Sequence, residues 1–259
     1  MIKLKNNTIN IVMYHYVRPL KKSKYPRLKA LELKEFYRQI EFFKKNSNII
    51  SEQEFNLIIE KKKIPKKPSV LLTFDDGYKD HYEFVYPYLK KQKISGNFYP
   101  PIMCIKNKRV LDVNKIHFIL EKVKNHKKVL REIDNYLIKS NLKPLSKHNL
   151  SKINLVDSYD NKETVLVKRL LQFYFPLKLR ENICNFLFKK FLNKDLRDFS
   201  KELYMNKKQI LEMNKYKMNF GSHGVNHFWW KYLNKYKQEK EIKESLNYFK
   251  KINVDTENF

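Results

Sequence analysis

SVLLTFDDGYKDHY, residues 69–82, drives an apolar, β-branched run straight into two adjacent carboxylates, Asp75 and Asp76, and then into Gly77. Burying a carboxylate is costly unless something compensates it. Side chains of neighbouring strand residues point to opposite sides, so the two aspartates are expected to differ in role. Gly77 permits a sharp turn at that point. Two readings of the tripeptide follow. An aspartate after a strand can cap the next helix. Alternatively, the C-terminal ends of strands in α/β sheets and barrels are where sites are built.

Outward from this strand, the pattern alternates. TINIVMYHYV (8–17) reads as a short apolar strand ending in polar and aromatic residues. LELKEFYRQIEFFKKN (31–46) has apolar residues at helical spacing. SEQEFNLIIEKKK opens with Ser51 and has Glu54 three residues on, a capping-box signature for a second helix. A helix is expected through HYEFVYPYLKKQK, then a strand over 94–99. Strands alternating with helices at this spacing predict βα units and a parallel sheet. Beyond Pro100-Pro101 the segments KIHFILEKVKNH, TVLVKRLLQFYF and RENICNFLFKKFL are Leu- and Lys-rich helical patterns. The α/β rhythm resumes with KMNFGSH (217–223), followed by a charge-laced helix over 234–252, and NVDTENF reads as the approach to another strand. The expected organisation is therefore an α/β part over 1–105, a helical insertion over 106–215 and a return to the α/β part over 216–259.

The formal net charge is +28, from 55 Lys and Arg against 27 Asp and Glu. Such a balance suggests nucleic acid or an anionic membrane surface. Lysine, however, is spread over nearly every segment, and Ala30 is the sole alanine. That skew fits a lysine-biased composition on solvated faces, so no specific nucleic-acid footprint is expected. Cys104 and Cys184 lie far apart without metal-type spacing and suit a reducing compartment. MIKLKNNTIN lacks the apolar core of a signal peptide, and no run of 18 apolar residues is present. A cytoplasmic location is expected.

A second constellation is GSHGVNH, with His223 and His227 four residues apart after an expected strand. On a helical turn that spacing puts both imidazoles on one face, and an irregular turn can still bring them together. Two histidines and one carboxylate make a set with open positions, suited to zinc or another divalent transition metal. Such an ion lowers the pKa of bound water and polarises a carbonyl. The remaining aspartate would then take the proton of that water.

LLTFDDGYKD together with GSHGVNH resembles the polysaccharide deacetylase family, also called NodB homology or carbohydrate esterase family 4. IVMYHYV, the helix with Phe36 and NIISEQEF add to the resemblance, which covers roughly residues 8–105 and 216–259. It implies a distorted (β/α)7-type barrel, here incomplete at the C-terminus and carrying the helical insertion. It implies hydrolysis of an N-acetyl or O-acetyl group on a sugar, at a non-peptide C–N bond in the amide case. Matched by position, Asp75 is the general base, while Asp76, His223 and His227 hold the metal, most simply Zn2+. A backbone N–H near Tyr99 would stabilise the oxyanion. His15, where the first strand ends, is a candidate pocket residue for substrate, with a structural histidine as the competing reading. Trp229-Trp230 read as packing between helix and barrel, with stacking on sugar rings the second reading.

The chain departs from the resemblance in three places. Gly224 stands where the family has Ser or Thr, which leaves the brace of that loop unexplained. Asp76 and His223 are 147 positions apart, longer than the family spacing. The family's later Arg/Pro-Tyr, Asp/Trp and Leu-x-His segments do not occur before Phe259, so the sequence reads as a C-terminally truncated member. The expected partners are an N-acetylated glycan, the inner membrane leaflet as a peripheral surface, and a separate C-terminal fragment. The competing functions are an inactive pseudoenzyme that binds metal or glycan, and a charge-driven nucleic-acid or membrane-surface binder.

Overall fold

The computed structural model describes residues 7–254 and 256, apart from 149, 151, 152, 154 and 158. The first six residues, and most of the C-terminal stretch read as a strand approach, lie outside the described residues. Two compact units form. One gathers Met1–Lys21, Ala30–Arg109 and Ser200–Phe259, and the other Lys22–Lys29 and Val110–Phe199.

The first unit is built on β1 (Ile9–Tyr14), β2 (Val17–Arg18), β3 (Leu31–Glu32), α1 (Leu33–Asn46), β4 (Asn48–Ile49), α2 (Glu52–Ile59), β5 (Ser69–Asp75), α3 (Tyr86–Gln92), β6 (Asn97–Tyr99) and α4 (Ile102–Lys106). β5 is the strand of SVLLTFD, buried from Ser69 through Phe74, the continuous apolar run of a strand covered on both faces. β1 pairs with it in parallel, β4 with its first two residues and β6 with its last three. β7 (Asn219–Phe220) pairs in parallel with β6. The capping box of α2 is present in both directions, each bond 3.2 Å.

One register repeats across the sheet. Tyr14 pairs with Phe74, Phe74 with Phe98, and Phe98 with Phe220. Their rings follow one another at centroid separations of 5.2, 4.7 and 5.6 Å, the first two pairs stacked. Each ring is followed directly in sequence by a residue of the strand end: His15, Asp75, Tyr99 and Gly221. An aromatic floor thus lies at the ends of β1 and β7 and one residue below the ends of β5 and β6.

Two elements differ from the sequence expectation. The strand expected over 94–99 begins only at Asn97. Lys93 is left-handed, and the Ile94 N–H still donates to the Leu89 carbonyl, so the residues after α3 are spent closing that helix. The helix expected from His81 opens as a wide π turn, His81–Val85, before α3. Pro87 sits in the first turn of α3 and has no N–H to donate backwards.

The second unit is helical among its described residues, with α5 (Asp112–Lys122), α6 (His126–Lys139), α7 (Lys162–Arg169) and α8 (Leu177–Leu192). Ile116, Phe118, Ile119, Ile133, Leu187 and Phe188 form part of its buried interior. Buried Lys115 is held by Asp112 Oδ1 at 2.8 Å and Asn185 Oδ1 at 2.7 Å. After it come α9 (Leu196–Leu203) and, in the first unit, α10 (Lys207–Lys215) and α11 (Lys235–Lys251). No described helix is long and apolar enough to cross a membrane.

Candidate active site

β5 delivers Asp75 as its last residue, half-buried. Asp76 then leaves the strand at φ 68°, left-handed, and Gly77 follows at φ 66°. Aspartate tolerates that region better than most residues. Gly77 has no alternative, because a Cβ there would lie 2.3 Å from the Pro100 Cβ. The turn points the Asp76 carboxylate into the protein, where the residue is 3% exposed. Its N–H donates to the Tyr99 carbonyl at 3.1 Å, and the Tyr78 hydroxyl donates to Oδ2 at 2.6 Å.

The other oxygen, Oδ1, is buried without a hydrogen bond. It faces His227 Nε2 at 3.2 Å and His223 Nε2 at 3.6 Å. The ligand atoms of the three residues all lie within 4.8 Å of one another. An unbonded buried carboxylate oxygen facing two imidazole nitrogens is the donor set that a divalent transition metal fits. The expected convergence of Asp76, His223 and His227 is therefore present in space. The helical turn offered for the histidines is absent: residues 221–229 form no regular element, and His227 is left-handed at φ 55°.

Electrostatics separates the two aspartates. Burial pushes the Asp75 carboxyl above its ordinary range, and the neighbouring charge of Asp76 adds to this against the pull of His223, His15 and His227. Burial pushes Asp76 upward as well, but the facing imidazoles of His223 and His227 and the bond from Tyr78 hold it well below the ordinary carboxylate range. His223 is penalised by burial, yet the facing Asp76 and the charge of Asp75 raise its pKa overall. Two neighbouring carboxyls driven apart in this way are suited to different tasks.

His15 has an exposed side chain, close enough to Asp75 to act on its charge. Its backbone carbonyl is bonded by His81, to which the sequence assigns no role and which is fully buried. Its Nε2 lies 2.7 Å from the His15 carbonyl. A carbonyl only accepts, so Nε2 carries the proton. The ring packs edge-on to Phe74 at 5.5 Å. Tyr78 was also missed, and nothing in its sequence context signals that its hydroxyl binds Asp76. The Trp229-Trp230 pair does not pack inside: the residues are 53% and 46% exposed. They sit in an open connection whose single 3-10 turn, Trp230–Tyr232, precedes α11, and α11 itself buries only Ser245 and Phe249.

Residues 62–110 match the family model for polysaccharide deacetylase. Over 90 residues, 34% of the chain, it is 31% identical to "Putative polysaccharide deacetylase YxkH" of Bacillus subtilis (strain 168). Over these segments the chain is similar to polysaccharide deacetylases. It spans 30% of the length of that relative. The segment matched by the family model contains Asp75 and Asp76, while the histidine loop lies beyond it. Among solved structures it is similar to the Streptococcus pyogenes deacetylase PplD in complex with acetate, at TM-score 0.50 and 17% identity, covering 97% of this chain and 72% of that one. It is also similar to IcaB from Ammonifex degensii, at TM-score 0.50 and 15% identity, covering 97% and 72%. These two likenesses concern the fold, a mixed α/β architecture on a parallel sheet.

Proposed function

We propose that this chain is a metal-dependent hydrolase that removes an N-acetyl or O-acetyl group from a sugar of a polysaccharide or glycan precursor. The observation that carries the reading is the buried, unbonded Oδ1 of Asp76 facing two histidine nitrogens, next to a second carboxyl of raised pKa. Asp76, His223 and His227 would hold the ion, and the two-nitrogen, one-oxygen set favours zinc. A divalent ion held there would supply a water of lowered pKa and polarise the acetyl carbonyl. Asp75 would take the proton of that water, a task for which a raised carboxyl pKa is suited. Tyr78 keeps Asp76 oriented from behind. His15, exposed beside Asp75, contacts the substrate.

Two measurements test this reading. Zinc-loaded protein is expected to carry one ion per chain and to release acetate from N-acetylated oligosaccharides. Asp75→Asn should lower that release about 10²–10⁴-fold while leaving the ion in place. An ion content unchanged by His223→Ala combined with His227→Ala would remove the site.

A further inference from the structure

The two histidines sit on a loop without regular structure, and a glycine stands between them where the family has a hydroxyl residue. Something else must hold the loop. We propose that Glu241, from α11, is the positioning residue that shapes the 223–227 loop for the ion. This rests on the metal reading above.

The backbone between the histidines accounts for its hydrogen bonds one by one. The Gly224 N–H donates to Ser222 Oγ at 3.2 Å. The Val225 N–H donates to Glu241 Oε2 at 2.7 Å, and the Asn226 N–H to the same oxygen at 2.8 Å. Asn226 Nδ2 donates to Oε1 at 2.6 Å. On the acceptor side, the Gly224 carbonyl takes the Ile102 N–H at 3.3 Å, and the Val225 carbonyl takes the Met103 N–H at 2.9 Å. Those two amides belong to the open first turn of α4, which has no partner for them within the helix. The loop is thus strung between helix amides on one side and one carboxylate on the other.

Three donors converging on one carboxylate need both of its oxygens, and bonds to an ionised acceptor are short and strong. The glycine belongs to the same arrangement. Gly224 is left-handed at φ 71°, and a Cβ there would approach Glu241 Oε2 to 3.0 Å. The space a side chain would take at 224 is filled by the glutamate. Other glutamates of α11 behave differently. Glu239 and Glu244 lie 3.7 and 3.8 Å from Lys243 and Lys240 along the exposed helix face. Glu241 instead turns both oxygens into the loop.

The test compares full-length protein with Glu241→Ala and Glu241→Gln. Metal-free amide hydrogen exchange should show loss of protection at Val225 and Asn226 in the alanine variant. Cobalt(II) affinity, read from the visible spectrum of the bound ion, should fall about 10- to 100-fold, as for partners that orient metal ligands. Glu241→Gln keeps the side-chain volume and one acceptor oxygen, so its loss should be smaller. It also remains informative if the alanine variant folds poorly. Wild-type protein that binds cobalt, with both variants binding equally well, overturns this proposal alone. Wild-type protein that takes up no ion overturns the metal reading and this inference with it.

Discussion

The two halves of the site are built in opposite ways. The aspartates stand at the end of a strand paired on both sides and rest on the ring of Phe74, itself one of four rings in register. The histidines stand on an irregular loop whose backbone is held by a hydroxyl, two helix amides and one carboxylate. The first half draws its rigidity from the core, so it softens only when the unit does. The second draws it from a few polar bonds, each removable by itself. A site of this kind has a fixed wall and an adjustable one, and their stabilities can be separated experimentally.

The largest expected effect breaks the fixed wall. Phe98→Ala removes a fully buried ring between Phe74 and Phe220 and should lower stability by about 3–5 kcal/mol. Urea unfolding measures it, and a loss below 1 kcal/mol would mean that the floor is not a cooperative support.

A second prediction probes the fixed wall by pH. Burial lowers the His81 pKa from 6.5 to about 4, against the bond to the His15 carbonyl and the charge of Asp76. Between these values the unfolded chain binds a proton that the folded protein refuses. This contribution is complete above pH 6.5 and is lost as pH falls towards 4, by about 3 kcal/mol in total. Asp80, whose pKa burial raises to about 6 against the pull of Arg18, acts with the opposite sign. It is common to wild type and His81→Gln, so the difference between the two isolates the histidine. The variant should lose less stability than wild type between pH 6.5 and 4. Parallel pH profiles would refute the assignment.

The smallest effect belongs to the adjustable wall. Ser222→Ala removes the acceptor of the Gly224 N–H and should cost about 1 kcal/mol or less. Faster exchange at the Gly224 amide with an unchanged urea midpoint is expected. A global shift in the midpoint would show that the loop is part of the same cooperative unit as the sheet.

The same division explains what the sequence disclosed. The strand half was legible because an apolar run, two carboxylates and a glycine lie within nine consecutive residues. The parallel sheet followed from the alternation of such runs with amphipathic segments. The histidine pair was legible as residue types at a spacing, but its geometry was not. Left-handed His227 and the irregular backbone come from long-range partners, not from local propensity. Glu241 was hidden in a helix rich in lysine and glutamate, where its neighbours form ordinary surface pairs. His81 carries no signal for a related reason. Its helical, lysine-rich context gives no sign of a role, and only the fold brings its ring under the His15 carbonyl.

The aromatic row also bears on how the sheet finds its alignment. In β5 and β6 the ring is followed at once by the residue that ends the strand, and in β1 and β7 the ring is itself the last residue. A one-residue slip of β5 back along its neighbours would put Asp75 in the layer of rings and take Phe74 out of it. An ionised carboxylate in that layer would be far more expensive than any pairing it preserved. The floor therefore makes a slipped register of β5 costly, so one alignment of the sheet is favoured.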